Sequence, residues 1–292
     1  MQKIGAFLGR YGAKLMITGL VCLLVGTALH GVVLSSENLA YIRQAAGAGS
    51  GPQATVGINK LGTMVYVPAA TFVMGSSTDS DLYDRPAHRV KLPGFWIRKY
   101  PVTNLEYKRF LDATGYPAPP GWNGKNFPAG EAFWPVTNVS WYDAESYARW
   151  AGQALPSEAQ WELAARGTQA FTYPWGNRWV GNNIWVGQHA NIEYAVGHAT
   201  PVGVYPLGVS PYGLYDMAGN VWEWTGSDFK PYPGNAGANW TFYKWKDFKV
   251  TRGGSYMSDV LSARAYQRNP VLPTAREPYI GFRTVSNTPP GS

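Results

Sequence analysis

Few side chains in this chain could do chemistry. Of 292 residues one is cysteine, Cys22, and four are histidine. Cys22 sits in an apolar run near the N-terminus, so residues 62–286 contain no thiol. An oxygen-activating copper centre needs thiolates or several imidazoles. The same region offers only His88, His189 and His198, and no copper is expected. A disulfide framework and a thiolate metal site are excluded by the cysteine count. Nucleophilic catalysis needs a base beside the nucleophile, and Ser258 and Ser262 have no histidine near them in sequence. What remains is a stretch rich in arginine and tyrosine: Arg252, Tyr256, Ser258, Arg264, Tyr266 and Arg268. Such a set could form a site based on tyrosine and arginine. The alternative is that its guanidinium groups bond loop carbonyls.

The elements that must position these residues are short. With 34 Gly, 22 Pro, 13 Trp and 19 Tyr against 15% charged residues, the composition describes a loop-rich fold with a core of large aromatics. Strands are expected at 64–68 and 71–75, around a turn, with 89–92 and 95–97 as another pair. Three helices have legible boundaries. The first runs over 104–113 with Gly115 as its stop. Ser140 caps the second, with Asp143 at its third position and Gly152 past its end. Ser157 caps the third, with Gln160 completing a capping box and Gly167 closing it. Beyond Gly167 helical periodicity fades, and long loops there require internal staples.

From Leu15 to Leu34 the chain is uncharged, and twenty helical residues at about 1.5 Å each cross a hydrocarbon layer of ~30 Å. The expected organisation is a cytoplasmic N-terminus at 1–14, a transmembrane helix at 15–36, a small-residue linker at 37–61, a domain at 62–286 and a tail at 287–292. Of the net charge of +7, +3 falls in residues 1–50, from Lys3, Arg10, Lys14 and Arg43 against Glu37. Three of those cations precede the apolar run. This keeps the N-terminus inside and places the domain on the periplasmic side of a bacterial inner membrane. Gly19, Gly26, Ala28 and Gly31 would let a partner helix approach closely, so membrane protein subunits and the lipid bilayer are the expected partners. No run of Lys and Arg suggests nucleic acid.

Three segments carry a likeness to a known family: Gly213-Leu214-Tyr215-Asp216-Met217-Ala218-Gly219-Asn220-Val221-Trp222-Glu223-Trp224, Arg252-Gly253-Gly254-Ser255-Tyr256 and Gly281-Phe282-Arg283. Together they resemble the signature of the formylglycine-generating enzymes, also called the sulfatase-modifying-factor domain. Segments at 66–75, 85–90, 100–104, 135–144, 155–162 and 173–177 follow in the family's order, so the likeness covers about residues 62–286. It implies an α+β fold, the family's loop-rich variant of the C-type lectin fold, here preceded by one transmembrane helix.

The family oxidises a substrate cysteine with two cysteines of its own, and their positions fall at Ser258 and Ala263. The resemblance therefore implies the scaffold without its thiol chemistry. It also implies a structural calcium held by the Asp216 and Glu223 side chains and the Gly219 and Val221 carbonyls, oxygen donors of the kind calcium takes. A tight loop with both carboxylates hydrogen-bonded to backbone is the alternative. On that ligand set, Glu223→Gln should lower stability mainly when calcium is present. A second family site would begin at Asn183 and Ile184 and continue in Ala190 to Val196, where this chain is shorter and Asn191 or Glu193 would have to substitute. The stretch Arg264 to Arg268 falls where catalytic members line their substrate groove. Three functions are compatible: a non-catalytic accessory subunit of a membrane complex, a maturation enzyme with non-thiol, oxidoreductase-like chemistry, and a periplasmic glycan- or peptide-binding module.

Overall fold

The computed structural model describes residues 62–78, 82–179, 189–235 and 247–290. It divides the chain into two units, Met1–Gly51 and Pro52–Ser292. The first unit, and with it the helix expected at 15–36, lies outside the described residues. Among the described residues no helix is long and apolar enough to cross a membrane.

The domain opens with four strands, β1 (Met64–Val67), β2 (Ala70–Met74), β3 (His88–Leu92) and β4 (Phe95–Arg98). The expected pairing is corrected here. β1 pairs with β4 and β2 with β3, both antiparallel, so the four strands form a nested ribbon. Val67 faces Phe95 and Ala70 faces Leu92, which keeps one register throughout. The ladder breaks between the two pairs because Pro68 and Pro93 have no amide hydrogen to donate. Gly94 stands at the break for a steric reason, since a Cβ there would lie 2.2 Å from the Tyr66 hydroxyl.

Each helix begins at a reciprocal capping box. In α1 (Asn104–Thr114) the box joins Thr103 and Glu106, in α2 (Trp141–Trp150) Ser140 and Asp143, and in α3 (Glu158–Arg166) Ser157 and Gln160. Two of the three were legible in sequence, and the first was missed because Thr103 precedes the expected start. The remaining strands are β5 (Trp222–Asp228), β6 (Lys249–Arg252), β7 (Arg268–Val271), β8 (Ile280–Phe282) and β9 (Val285–Ser286). β7, β6, β5 and β8 form one sheet in that order, with β5 and β8 parallel, and β9 joins β4. Between α3 and β5 the described residues contain one short 3-10 turn, Pro206–Gly208.

Two aromatic-rich cores flank α3 and β5. One holds Phe72, Phe95, Ile97 and Trp161, and the other Tyr107, Phe110, Trp224 and Phe282. Between strands and loops the interior carries ionised groups. Glu162 accepts from the Gly75 amide at 2.7 Å, from Arg166 at 2.8 Å and from Arg252. Glu158 takes a two-pronged grip from Arg268, at 2.6 and 2.9 Å. Burial alone would push the Glu162 carboxyl up, but Arg252, Arg166 and the Gly75 amide outweigh it and hold the group below the usual carboxylate value.

Breaking a buried pair leaves an uncompensated charge, so Glu162→Gln should cost about 3–5 kcal/mol, read as a lower denaturant midpoint. A carboxyl held low when folded contributes fully above its unfolded pKa and loses that contribution as pH falls through its folded value. The parent should therefore lose stability more steeply than Glu162→Gln below the ordinary carboxylate range, measured by denaturation at stepped pH.

Candidate functional site

Asp216 and Glu223 bracket the turn that enters β5. The turn uses left-handed backbone at Asp216, Gly219 and Asn220, with φ of 57°, 76° and 65°. Gly219 has a second reason to lack a side chain, because a Cβ would sit 2.4 Å from the Asn191 carbonyl. Asn220 is fully buried and sews the turn to the preceding loop. Its side-chain oxygen accepts from the Thr200 amide at 2.8 Å, and its side-chain nitrogen donates to the Thr200 carbonyl at 3.2 Å.

The two acids have different environments. Glu223 is wholly buried and engaged: Arg283 donates to both its oxygens at 2.7 Å, and the Trp161 indole donates at 2.8 Å. Asp216 accepts one hydrogen bond, from the Gly203 amide at 2.8 Å, while its Oδ1 is buried with no partner. Burial pushes its carboxyl up to about 7, the behaviour of an acid without an adequate counter-charge. The Gly219 and Val221 carbonyls accept no hydrogen bond from loop or turn amides among the described residues. Three of the four oxygens assigned to calcium by resemblance are thus uncommitted, and the fourth is shared with a guanidinium. The donor set fits a hard cation at the Asp216 end. It also revises the expectation for Glu223, whose loss would strand Arg283 whether or not calcium is bound.

Of the second calcium set, Asn183 and Ile184 lie outside the described residues. Asn191 is buried, donates to the His198 carbonyl at 2.9 Å, and has an unpartnered side-chain oxygen. Glu193 is exposed. Its amide bonds the Ser258 carbonyl and the Tyr194 amide bonds the Tyr256 carbonyl, which pins this loop against the 255–258 turn.

The six candidate groove residues separate. Arg252 is fully buried, donating to the Ala265 and Gln267 carbonyls and pairing with Glu162 and with Glu158 at 3.2 Å. Arg268 is buried between the Phe229 and Tyr232 rings and also bonds the Tyr83 carbonyl. Both arginines take the carbonyl-bonding role that the sequence left open. Tyr266 is mostly buried, with the Arg166 and Arg264 guanidinium groups over its ring. Tyr256 is nearly buried beside Tyr194. Ser258 is partly exposed, and its hydroxyl accepts from the Ser255 amide at 2.9 Å. Ala263, the other position that the resemblance assigns to a cysteine, is fully buried against Ala190, Ile192 and Ala218.

The three histidines pack on different aromatics, His88 on Tyr232, His189 on Trp175 and His198 on Trp134. Among the described residues no group of three His, Cys, Asp or Glu side chains is placed to hold a metal ion. Sequence reasoning missed the interior role of Glu158, Glu162, Arg166 and Arg283. A signal existed, since Glu158, Glu162 and Arg166 recur every four residues and so share one face of α3.

In chelator-treated protein, added calcium should raise the melting temperature of the parent through mass action on the folded state. Asp216→Asn should lose most of that rise and melt no lower than the parent without calcium. Glu223→Gln should cost about 3–5 kcal/mol with or without calcium. An equal calcium response in the parent and Asp216→Asn would remove Asp216 from the ligand set.

The scaffold has known counterparts. Residues 52–288 match the model of the sulfatase-modifying factor enzyme 1-like domain. The hercynine oxygenase of Mycolicibacterium smegmatis is 32% identical over 76% of this chain and 60% of its own length, so this chain spans about three fifths of that relative. The protein named inactive C-alpha-formylglycine-generating enzyme 2 of Mus musculus is 31% identical over 77% of this chain and 85% of its own. Among solved structures, PvdO from Pseudomonas aeruginosa superposes with a TM-score of 0.62 at 27% identity, covering 77% of this chain and 94% of that one. A match over most of the chain, together with this mixed α/β fold of few helices, places the protein in a family: it belongs to the sulfatase-modifying factor enzyme 1-like domain family.

Proposed function

We propose that this protein is a non-catalytic accessory subunit of a larger membrane complex, anchored in a bacterial inner membrane by residues 15–36 with its folded domain in the periplasm. The observation that carries this reading is the absence of any thiol from residues 52–288, the whole family-matched region, since the chain's one cysteine is Cys22. The family's cysteine oxidation cannot run on Ser258 and Ala263. The residues that build the scaffold are all in place, which is the pattern of a fold kept for its surfaces. The likeness to a relative named inactive supports the same direction. In this reading one calcium at Asp216, Gly219, Val221 and Glu223 is structural, and the partners are membrane subunits that meet the anchor helix and the domain surface.

A maturation enzyme with non-thiol chemistry is the second reading. It is favoured by the 32% identity to a hercynine oxygenase, of which this chain spans 60%. Purification of the native protein in mild detergent separates the two. Mass spectrometry of the retained proteins and metal analysis of the same sample should give stoichiometric membrane partners with calcium. A solitary protein carrying copper or iron would reject the accessory role in favour of the enzyme.

A further inference from the structure

The outward face of the β1–β4 ribbon is built unlike a merely solvated surface. Its inward residues Val67, Phe72, Met74, Phe95 and Ile97 all enter one core, so the alternate residues share the opposite face. There Tyr66 stands across from Trp96, Thr71 from Lys91 and Val73 from Arg89. Tyr66 is 50% exposed and Val73 39% exposed. The Tyr66 ring lies 5.2 Å from the half-buried Trp96 ring, and its hydroxyl end lies over Gly94, so the exposed tyrosine is held in place.

The charge of this face is one-sided. At the outward strand positions 64, 66, 71, 73, 89, 91 and 96 the charged residues are Arg89 and Lys91 and none is acidic. The acids of residues 62–103 are Asp79 and Asp81, between β2 and β3 in sequence, and the buried Asp84, while Arg98 is buried against Glu106. Arg89 and Lys91 are exposed, and among the described residues neither has an ion-pair partner. Tyrosine and tryptophan beside unpaired Lys and Arg is the composition that settles at a headgroup layer, where rings lie at the interface and cations meet anionic lipid. In sequence the ribbon follows the uncharged run 15–34 and the stretch 37–61, and β1 is the first described strand of the domain.

We infer that this ribbon face docks on the surface of an anionic bilayer, with Tyr66 and Trp96 at the headgroup level and Arg89 and Lys91 on the lipid charge. The inference deepens the anchored-subunit reading and rests on it for the tether that keeps the face close to lipid. Docking of this kind adds buried apolar area to an electrostatic attraction, and the second part is screened by salt.

The test uses the full chain with Cys22→Ser and one new cysteine carrying an environment-sensitive fluorophore, at Val73→Cys on the face or at Tyr142→Cys on α2 as control. Each is reconstituted into phosphatidylcholine vesicles with or without phosphatidylglycerol, with a quencher on the lipid headgroups. The label at 73 should be quenched in the anionic vesicles and not in the neutral ones. Raised salt or the pair Arg89→Glu and Lys91→Glu should abolish the quenching, with an unchanged melting temperature verifying the fold. The label at 142 should stay unquenched throughout. No quenching at 73 in anionic vesicles, or equal quenching in both vesicle types, would overturn the inference, the second result pointing to a protein-like or charge-blind contact. Alkaline extraction from the neutral vesicles reports the anchor separately. A chain that washes out of them while still showing anionic quenching at 73 would reject the anchor and support the face.

Discussion

Carboxylates fixed on two rigid elements organise this protein. Glu158 and Glu162 project from α3 and Glu223 from β5, and each holds at least one buried guanidinium. A fold with long loops has many interior carbonyls that need donors, and a guanidinium offers five N–H groups in a planar fork. Arg283 bonds the Arg98, Lys99 and Tyr215 carbonyls while gripping Glu223. Arg252 bonds those of Ala265 and Gln267, and Arg166 those of Gly75, Ala170 and Phe171. Each arginine thus converts one fixed carboxylate into an anchor for distant loop backbone. Gly75 fits the same scheme, since a Cβ there would lie 2.7 Å from the Asp84 carbonyl and the amide could not reach Glu162 unhindered.

These staples lie apart from Ser258 and Ala263, the positions that the resemblance assigns to the family's cysteines. None of the three carboxylates bonds to Ser258 or Ala263. The turn that carries them is held by its own backbone bonds, from Ser258 to the Ser255 carbonyl and from Ala263 to the Asp259 carbonyl, and by the Glu193 amide on the Ser258 carbonyl. Ala263 fills a small apolar pocket beside Ala190 and Ala218. The interior pairing of Glu158, Glu162 and Glu223 therefore does not depend on the side chains at 258 and 263.

Local signals in the sequence were the ones that survived folding. Capping at Ser140 and Ser157 depends on residues three apart, and both boxes formed as read. Strand positions were legible for the same reason. Strand partners were not, because the β1–β4 pairing is set across Pro68 and Pro93 at a distance that periodicity does not encode. Arg252 and Arg268, two of the groove candidates, are buried for a related reason. Whether a guanidinium faces solvent or a carboxylate depends on Glu158 and Glu162, about a hundred residues upstream, whose acidity reads like an ordinary solvated helix face. The family motifs carried more information because they fix several such distant partners together.

Asp216 stands apart within this arrangement. Buried Glu106 faces Arg98, Asp143 faces Arg276, and Glu158, Glu162 and Glu223 each face an arginine. Asp216 has one backbone amide, an unpartnered oxygen, and a left-handed backbone that a non-glycine residue adopts at a cost. Asp216, Glu223 and Arg283 together leave one negative charge, whereas Glu158 and Glu162 share three buried arginines, Arg166, Arg252 and Arg268. A proton can neutralise it, which is why burial drives the carboxyl upward, or a cation can, which would also engage the idle carbonyls of Gly219 and Val221. The unpartnered Asp216 Oδ1 is thus where the proposed calcium would neutralise the turn, while the Arg283 fork already holds both oxygens of Glu223.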